Sequence, residues 1–167
     1  MSGRPISYAG QGFSPKGEKG RFVLPSDFRS AVKASSDDQR ILCLDKHDRF
    51  PCLVGFGLSR DREFAAQLDR EEEIAIARDR DFDRDLRSLQ LYGYLKVSFD
   101  ESGRFILPDH LAGLGGINDA LYFHGGGAFF TLWNPEQLFA MGQGWESAQA
   151  NCRALMADAG NGKRGRK

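Results

Sequence analysis

A nine-residue pattern occurs twice in this chain and limits what the chain can fold into. Residues 17–25 read Gly-Glu-Lys-Gly-Arg-Phe-Val-Leu-Pro and residues 100–108 read Asp-Glu-Ser-Gly-Arg-Phe-Ile-Leu-Pro, so six of nine positions are identical at an offset of 83 residues. A helix-like segment and two strand-like segments follow each copy, which extends the similarity to about forty residues. A β-rich unit of this size cannot bury both faces of its sheet, so we expect the two copies to pair within the chain.

The residues of the repeated pattern also predict its local structure. Gly20 and Gly103 can adopt the positive φ of a tight turn, and the three residues after each glycine favour a strand. Pro25 and Pro108 end that strand because proline has no N–H to donate to a β-ladder. Each copy therefore predicts a strand, a turn, a second strand, a short helix and a hairpin, which makes the fold class α+β and mainly β.

The segment between the two copies has a different pattern. Seventeen of the thirty-two residues from 59 to 90 are charged. The apolar residues recur at spacings of four and three, which predicts two amphipathic helices, each with one buried stripe. These residues are Phe64, Ala65 and Leu68 in the first helix and Phe82, Leu86 and Leu89 in the second. The charged residues are more typical of a solvated helix face than of a partner site.

The composition indicates a globular chain. Hydrophobic residues make up 41% and charged residues 28%, close to the averages for folded domains. No apolar stretch approaches the roughly eighteen residues of a membrane span, and the first residues lack the apolar core of a signal peptide. Cys43, Cys52 and Cys152 form no disulfide spacing pattern, which favours reduced thiols. We therefore expect a cytoplasmic protein with no membrane partner.

The charges are unevenly distributed along the chain. The formal net charge is zero, which argues against a uniformly basic coat for nucleic acid. Residues 1–33 nevertheless carry a net charge of +4, and Lys163–Lys167 carry another +4. The 129 residues between them must then carry −8. This distribution predicts a local anion-binding face on an otherwise acidic molecule.

Other candidate sites have weak patterns. Cys43, His47 and Cys52 are residue types that bind zinc, but the spacing Cys-x3-His-x4-Cys matches no paired-ligand motif, and both cysteines fall in predicted strands. The string His124-Gly-Gly-Gly joins two predicted strands and is typical of a hairpin turn. The three histidines suggest no catalytic constellation. We therefore expect no metal, no cofactor, no small-molecule substrate and no enzymatic activity.

The repeated Gly-Arg-Phe-(Val/Ile)-Leu-Pro resembles a known protein family. Together with the helices between the copies and the string Leu-Trp-Asn-Pro-Glu-Gln-Leu at 132–138, it is similar to MraZ, a family of bacterial transcriptional regulators with two SpoVT-AbrB repeats. The resemblance covers residues 8 to about 140. It implies a swapped-hairpin β-barrel, formed by the two repeats as an intrachain pseudo-dimer, with amphipathic helices packed outside it.

The resemblance also implies a function and a domain organisation. Members of the family form ring-like homo-oligomers and bind repeated short boxes in double-stranded DNA upstream of the cell-division and cell-wall gene cluster. We accordingly expect a nucleoid-associated regulator whose boxes lie upstream of its own gene. The expected segments are repeat 1 at 8–58, linking amphipathic helices at 59–92, repeat 2 at 93–140, a C-terminal helix at 141–157 and a disordered basic tail at 158–167.

The family motif in each copy is Asp-x-x-x-Arg, usually with Lys before the Gly. The second copy keeps Asp100 and Arg104 but has Ser102 in place of the Lys. The first copy keeps Lys19 and Arg21 but has Gly17 in place of the Asp. The Arg usual near the family's N-terminus is also replaced, by Ala9. An Asp four residues before an Arg can hold its guanidinium with a charge-assisted hydrogen bond, so we expect such a clamp in the second copy alone.

These motifs define the candidate DNA-binding residues. We expect the cations of the first loop to contact phosphates and at least one arginine to read a guanine edge in the major groove. Arg104 is equally consistent with DNA binding and with a structural role, because Asp100 can hold its guanidinium within the chain. The candidate DNA-binding residues are Lys16, Lys19, Arg21 and Arg104, and the motif residues with a structural role are Gly20, Pro25, Asp100, Gly103 and Pro108.

Two other functions remain open from the sequence. One is a structural or interaction protein that binds a partner through the charged helices at 59–90. The other is an AbrB-like antitoxin or transition-state regulator, which would share the barrel. Such regulators usually have a single repeat, so the tandem copies argue against this second alternative.

Overall fold

The computed structural model describes residues 6–165, with side chains described as far as Gly160, and has an α+β fold. The strands are β1 (Gln11–Pro15), β2 (Arg21–Val23), β3 (Ile41–Lys46), β4 (Leu53–Phe56), β5 (Leu95–Ser98), β6 (Arg104–Ile106), β7 (Ala120–Gly125) and β8 (Phe130–Trp133). The α-helices within this range are α1 (Ser26–Ser35), α2 (Phe64–Ala77), α3 (Arg84–Tyr92), α4 (Asp109–Gly115), α5 (Pro135–Phe139) and α6 (Glu146–Gly165). Short 3-10 helices occupy Glu18–Gly20 and Leu58–Glu63.

The strands of the two sequence copies are interleaved. Six strands form one antiparallel sheet in the order β1-β7-β8-β4-β3-β5, and β2 pairs with β6 in a separate two-stranded ribbon. The first strand of each copy therefore pairs with the hairpin of the other copy, β1 with β7 and β5 with β3. Exchanging the two copies reverses the strand order of the sheet and leaves the ribbon unchanged. The topology thus has the internal symmetry of the sequence.

The described strands do not close into a barrel, in contrast to the expectation from the resemblance. Each of the two outer strands, β1 and β5, has one neighbour in the sheet, and no pairing joins them. The ribbon strand β2 does not extend the ladder of the sheet beyond β1. Where these two strands approach each other, the Val23 N–H donates to the Ser14 side-chain hydroxyl at 2.8 Å.

The interior consists of two apolar clusters. The larger one joins both copies, and its rings include Phe28, Phe123 and Phe130, each at most 1% exposed. The smaller one lies between β7–β8 and the C-terminal helices and contains Trp133 and Cys152. Complete burial of one such aromatic side chain stabilises the fold by about 1.5–3 kcal/mol relative to exposure.

The two predicted helices of the linking segment are present, but only one buries an apolar stripe. Helix α2 buries Phe64, Leu68 and Ala75. Helix α3 buries no residue, and Leu86 and Leu89 are 53% and 74% exposed, so the predicted burial of its stripe is wrong. The reason is that α3 packs through the face that carries Arg84, Arg87 and Leu91.

Ion pairs hold this face of α3 against α2. The Arg84 guanidinium pairs with Asp69 at 2.9 Å and with Glu72 at 3.1 Å. The Arg87 guanidinium pairs with Glu71 at 2.7 Å, and this contact lowers the pKa of the Glu71 carboxyl. Because these arginines point towards α2, the leucines on the other side of α3 point outwards.

The C-terminal helix begins later and ends later than the sequence predicts. Gly144 has a φ of 101°, which a helix does not contain, and α6 begins at Glu146. The helix then continues to Gly165, so the predicted disorder is wrong for residues 158–165, while 166–167 lie outside the described residues. The Ala-rich stretch before residue 160 favours this continuation through its helix propensity. Within the described range, no helix has the length and apolar character needed to cross a membrane.

Candidate nucleic-acid interface

The ribbon formed by β2 and β6 brings the repeated Arg-Phe pairs of the two copies together. In its antiparallel register Phe22 lies opposite Phe105, and both rings are buried, with centroids 6.2 Å apart. Because side chains alternate between the two faces of a strand, the neighbours of these rings point away from the core. The outward face consists of Arg21, Val23, Arg104 and Ile106.

A surface depression lies beside this outward face. It has a volume of about 440 Å³ and is lined by both candidate arginines, Arg21 and Arg104, together with Val23 and Glu18. The arginines come from positions 83 residues apart in the sequence. The fold therefore places them on one surface, as the pairing of the two copies requires.

The first-copy turn presents three cations. Gly17 donates its N–H to the Arg21 carbonyl at 2.7 Å, which closes the turn. Lys19 and Gly20 both have positive φ, 59° and 70°. Lys16 and Lys19 are exposed, and Arg21 donates from Nε to the Glu18 carbonyl at 3.4 Å. Among the described residues, none of these three cations forms an ion pair.

The second-copy turn holds its arginine with the expected clamp. Asp100 Oδ1 accepts from the N–H groups of Ser102 and Arg104, each at 2.9 Å, and Oδ2 accepts from Arg104 Nε at 2.7 Å. Hydrogen bonds from Arg104 hold the pKa of the Asp100 carboxyl below its usual range. The Arg104 side chain is still 46% exposed, and its Nη groups have no partner among the described residues. The clamp therefore orients this arginine without covering it.

Arg29 supports the second-copy turn, a contact that the sequence pattern did not reveal. Its Nε and Nη2 donate to the Leu24 carbonyl at 3.3 and 3.0 Å, while the Leu24 N–H donates to the Gly103 carbonyl at 2.8 Å. A Cβ at Gly103 would lie 2.5 Å from Arg29 Nε, so only glycine fits there. In the sequence, the two copies differ at this position: Arg29 is in the first copy, and its counterpart in the second copy is Ala112.

A larger surface cavity lies elsewhere and is a poor anion site. It has a volume of about 1060 Å³ and lies between the β3–β4 hairpin and helices α2 and α3. Most of its cations are already paired, because Arg87 pairs with Glu71 and Asp48, Arg60 pairs with Glu63, and the Lys46 ammonium donates to the carbonyls of His47 and Phe50. The unpaired cations of the first-copy turn are therefore the better candidates for a polyanion.

The residues that resemble metal ligands do not converge. Cys43 belongs to the larger apolar cluster and Cys52 to the smaller one, and burial raises the pKa of each thiol to about 12. His47 Nδ1 accepts the N–H groups of Arg49 and Phe50. No group of three or more His, Cys, Asp or Glu side chains in the described part of the chain is placed to hold a metal ion. The glycines after His124 form the expected hairpin turn between β7 and β8.

Sequence comparisons connect this chain to proteins that share one name. No protein-family model matches the chain. It is 31% identical to the transcriptional regulator MraZ of Parvibaculum lavamentivorans, over 77% of this chain and 76% of that protein. It is 33% identical to the same regulator of Caulobacter vibrioides, over 71% and 70%. For the regulator of Rhizobium johnstonii the identity is 30%, over 85% and 88%.

Proposed function

The chain belongs to the MraZ family of transcriptional regulators, and we propose that it regulates transcription by binding double-stranded DNA in a sequence-specific manner. The observation that carries this proposal is the β2–β6 ribbon, which presents Arg21 and Arg104 on one outward face. Lys16 and Lys19 lie on the adjoining turn. A two-stranded ribbon has the dimensions that the major groove of B-DNA admits.

The cations of this face have different roles in the proposal. Lys16 and Lys19 contact phosphates, because an ammonium is a compact point charge that recognises no base edge. Arg21 reads guanine, because its fork of donors matches the two acceptors on the guanine edge. Arg104 has the same chemistry but a fixed orientation, because Asp100 already binds its Nε. Recognition therefore depends most on the first copy.

We propose that the two repeats form a swapped-hairpin pseudo-dimer within one chain. The support is topological: β1 pairs with the hairpin of the second copy, and β5 pairs with the hairpin of the first. In this arrangement each copy completes the sheet of the other, and the ribbon lies on the approximate twofold axis. The two arginines are then related by that axis.

The resemblance supports the biological part of the proposal. The protein acts in the cytoplasm, associated with the nucleoid, and binds repeated short boxes upstream of its own gene, at the head of a cell-division and cell-wall cluster. Its role is regulatory and non-catalytic.

A ring-like homo-oligomer completes the proposal. One ribbon neutralises few phosphates, so a single subunit binds weakly, whereas several ribbons on one ring bind repeated boxes at high effective concentration. The exposed leucines of α3, Leu86 and Leu89, offer an apolar surface for a neighbouring subunit. The acidic regions face away from the duplex, which keeps their repulsion from the phosphates small.

The alternative of an interaction protein that binds a different partner through the charged helices at 59–90 has less support. Two of the arginines in this segment, Arg84 and Arg87, pair within the chain with Asp69, Glu71 and Glu72 of α2. The tandem copies likewise do not favour a single-repeat antitoxin.

The test is a mobility-shift titration on DNA from upstream of the gene. Arg21→Ala should cost about 1–3 kcal/mol of binding free energy on that DNA, because one bidentate guanine contact is lost. Arg104→Ala should cost less. Arg78→Ala is the matched control, because Arg78 is exposed at the end of α2 and away from the ribbon. Equal affinities of the Arg21 variant and the control would contradict the assignment of Arg21 to recognition.

A further inference from the structure

The proposed DNA-binding face contains two exposed apolar side chains between its arginines. Val23 is 40% exposed and Ile106 is 61% exposed. In the ribbon register Arg21 lies opposite Ile106, and Val23 lies opposite Arg104. The four outward side chains thus form a two-by-two array, in which the two arginines occupy one diagonal and the two aliphatic side chains the other.

The array is rigid. The opposite face of the ribbon is anchored by Phe22 and Phe105, which are buried in the core. Valine and isoleucine are branched at Cβ and have few χ1 rotamers, so their methyl groups occupy nearly fixed positions. Cross-strand neighbours in such a pair lie about 4.5–5.5 Å apart, and diagonal neighbours about 7–8 Å apart. A DNA edge that lies flat on the ribbon and binds the arginines is therefore in position to contact these methyl groups as well.

The major groove offers one apolar group, the C5-methyl of thymine. We propose that Val23 and Ile106 read thymine methyl groups next to the guanines that the arginines read, an inference that rests on the proposed function. A phosphate contact does not need an aliphatic neighbour, and a cytosine or a guanine edge has no methyl group to offer these side chains. The ribbon therefore recognises thymine and guanine together.

The spacing of the array predicts how close the two bases lie. Arg21 and Val23 are two residues apart on one strand, a distance of about 7 Å. Base pairs follow one another at about 3.4 Å along each DNA strand. A ribbon that lies along the groove therefore places the recognised thymine within about two base pairs of the recognised guanine.

The experiment removes the methyl groups from the DNA and the aliphatic side chains from the protein. The shortest upstream fragment that the full chain binds is prepared with thymine and with deoxyuridine, which lacks only the methyl group. Wild-type protein should bind the deoxyuridine fragment about fourfold more weakly for each methyl group contacted. This factor corresponds to the free energy of burying one carbon group. The double variant Val23→Ala, Ile106→Ala should bind the two fragments with nearly equal affinity.

One control variant and two further measurements test this interpretation. Leu114→Ala is the control, because Leu114 is 57% exposed but lies on α4, outside the ribbon, and this variant should retain the full preference for thymine. Thermal unfolding verifies that the double variant is folded. The dependence of affinity on salt should not change in the double variant, because no phosphate contact is lost.

The outcomes separate this inference from the proposed function. Equal binding of wild-type protein to both fragments would overturn the reading of thymine methyl groups and leave DNA binding intact. An unchanged thymine preference in the double variant would also overturn it. Failure to bind any upstream fragment would instead contradict the proposed function itself.

Discussion

Lys19 has two properties that one substitution removes together and that two different measurements can distinguish. It has a φ of 59°, and it is one of the three cations of the first-copy turn that form no ion pair with the residues that the structure describes. The left-handed conformation costs a residue with a Cβ about 1–2 kcal/mol, whereas glycine adopts it freely. The turn therefore contains strain at a position that we propose for DNA binding. Lys19→Gly should relieve the strain and remove the cation at once.

The expected changes in stability and DNA affinity have opposite signs. Glycine adds backbone entropy to the unfolded chain, which offsets about 0.5–1 kcal/mol of the relieved strain. The net gain in the free energy of unfolding is then about 0–1.5 kcal/mol, since strain relief is about 1–2 kcal/mol. In a chain of this size the upper end of that range raises Tm by about 3–6 °C. Loss of one phosphate contact should reduce the slope of log affinity against log salt by about 0.9 for each bound copy of the turn.

Ser102→Gly is the matched control, because residue 102 is the counterpart of residue 19 in the second copy. Ser102 is not among the described residues with positive φ, so glycine there relieves no strain and should lower the free energy of unfolding by about 0.5–1 kcal/mol. Denaturant titration at one protein concentration measures both variants. If Lys19→Gly destabilised the protein as much as Ser102→Gly, the strain argument would be wrong. If it left the salt dependence unchanged, Lys19 would not contact phosphate.

Three further predictions concern the second-copy turn and the buried thiols. Because Arg104 lowers the pKa of Asp100, the ionised carboxylate stabilises the fold at pH values above its ordinary pKa, and this stabilisation disappears as the pH falls through the lowered pKa. Asp100→Asn lacks this carboxylate and should therefore lose less stability than the wild-type protein on acidification. Thermal unfolding from pH 7 to pH 2 measures the difference. Gly103→Ala should lower the free energy of unfolding by about 1–3 kcal/mol in denaturant titration, because the new Cβ meets Arg29 and the φ of 86° disfavours it. Cys43 and Cys52 should resist alkylation by iodoacetamide at pH 8 in the folded protein, because both thiols are buried and have a pKa of about 12. Mass spectrometry should show that both react after unfolding. Rapid alkylation of the folded protein would contradict their burial.

The sequence by itself determined the features that depend on neighbouring residues. Gly20 and Gly103 have the positive φ that the repeated pattern predicts. Asp100 and Arg104 are four residues apart across one turn, and their pairing follows from that spacing. The repeat also required the two copies to pair, because neither could bury its sheet alone. These conclusions need only local geometry and the size of the unit.

Only the tertiary structure decided which surfaces meet. Periodicity identified the stripe with Leu86 and Leu89 on α3, but it could not show that ion pairs from Arg84 to α2 would turn that stripe outwards. The contact of Arg29 with the turn at Gly103 joins residues far apart in sequence and has no local signal. The Ser14 hydroxyl likewise accepts the N–H of Val23, nine residues away, a contact that periodicity does not indicate. In each case several partners were chemically equivalent, and the complete packing of the chain selected one of them.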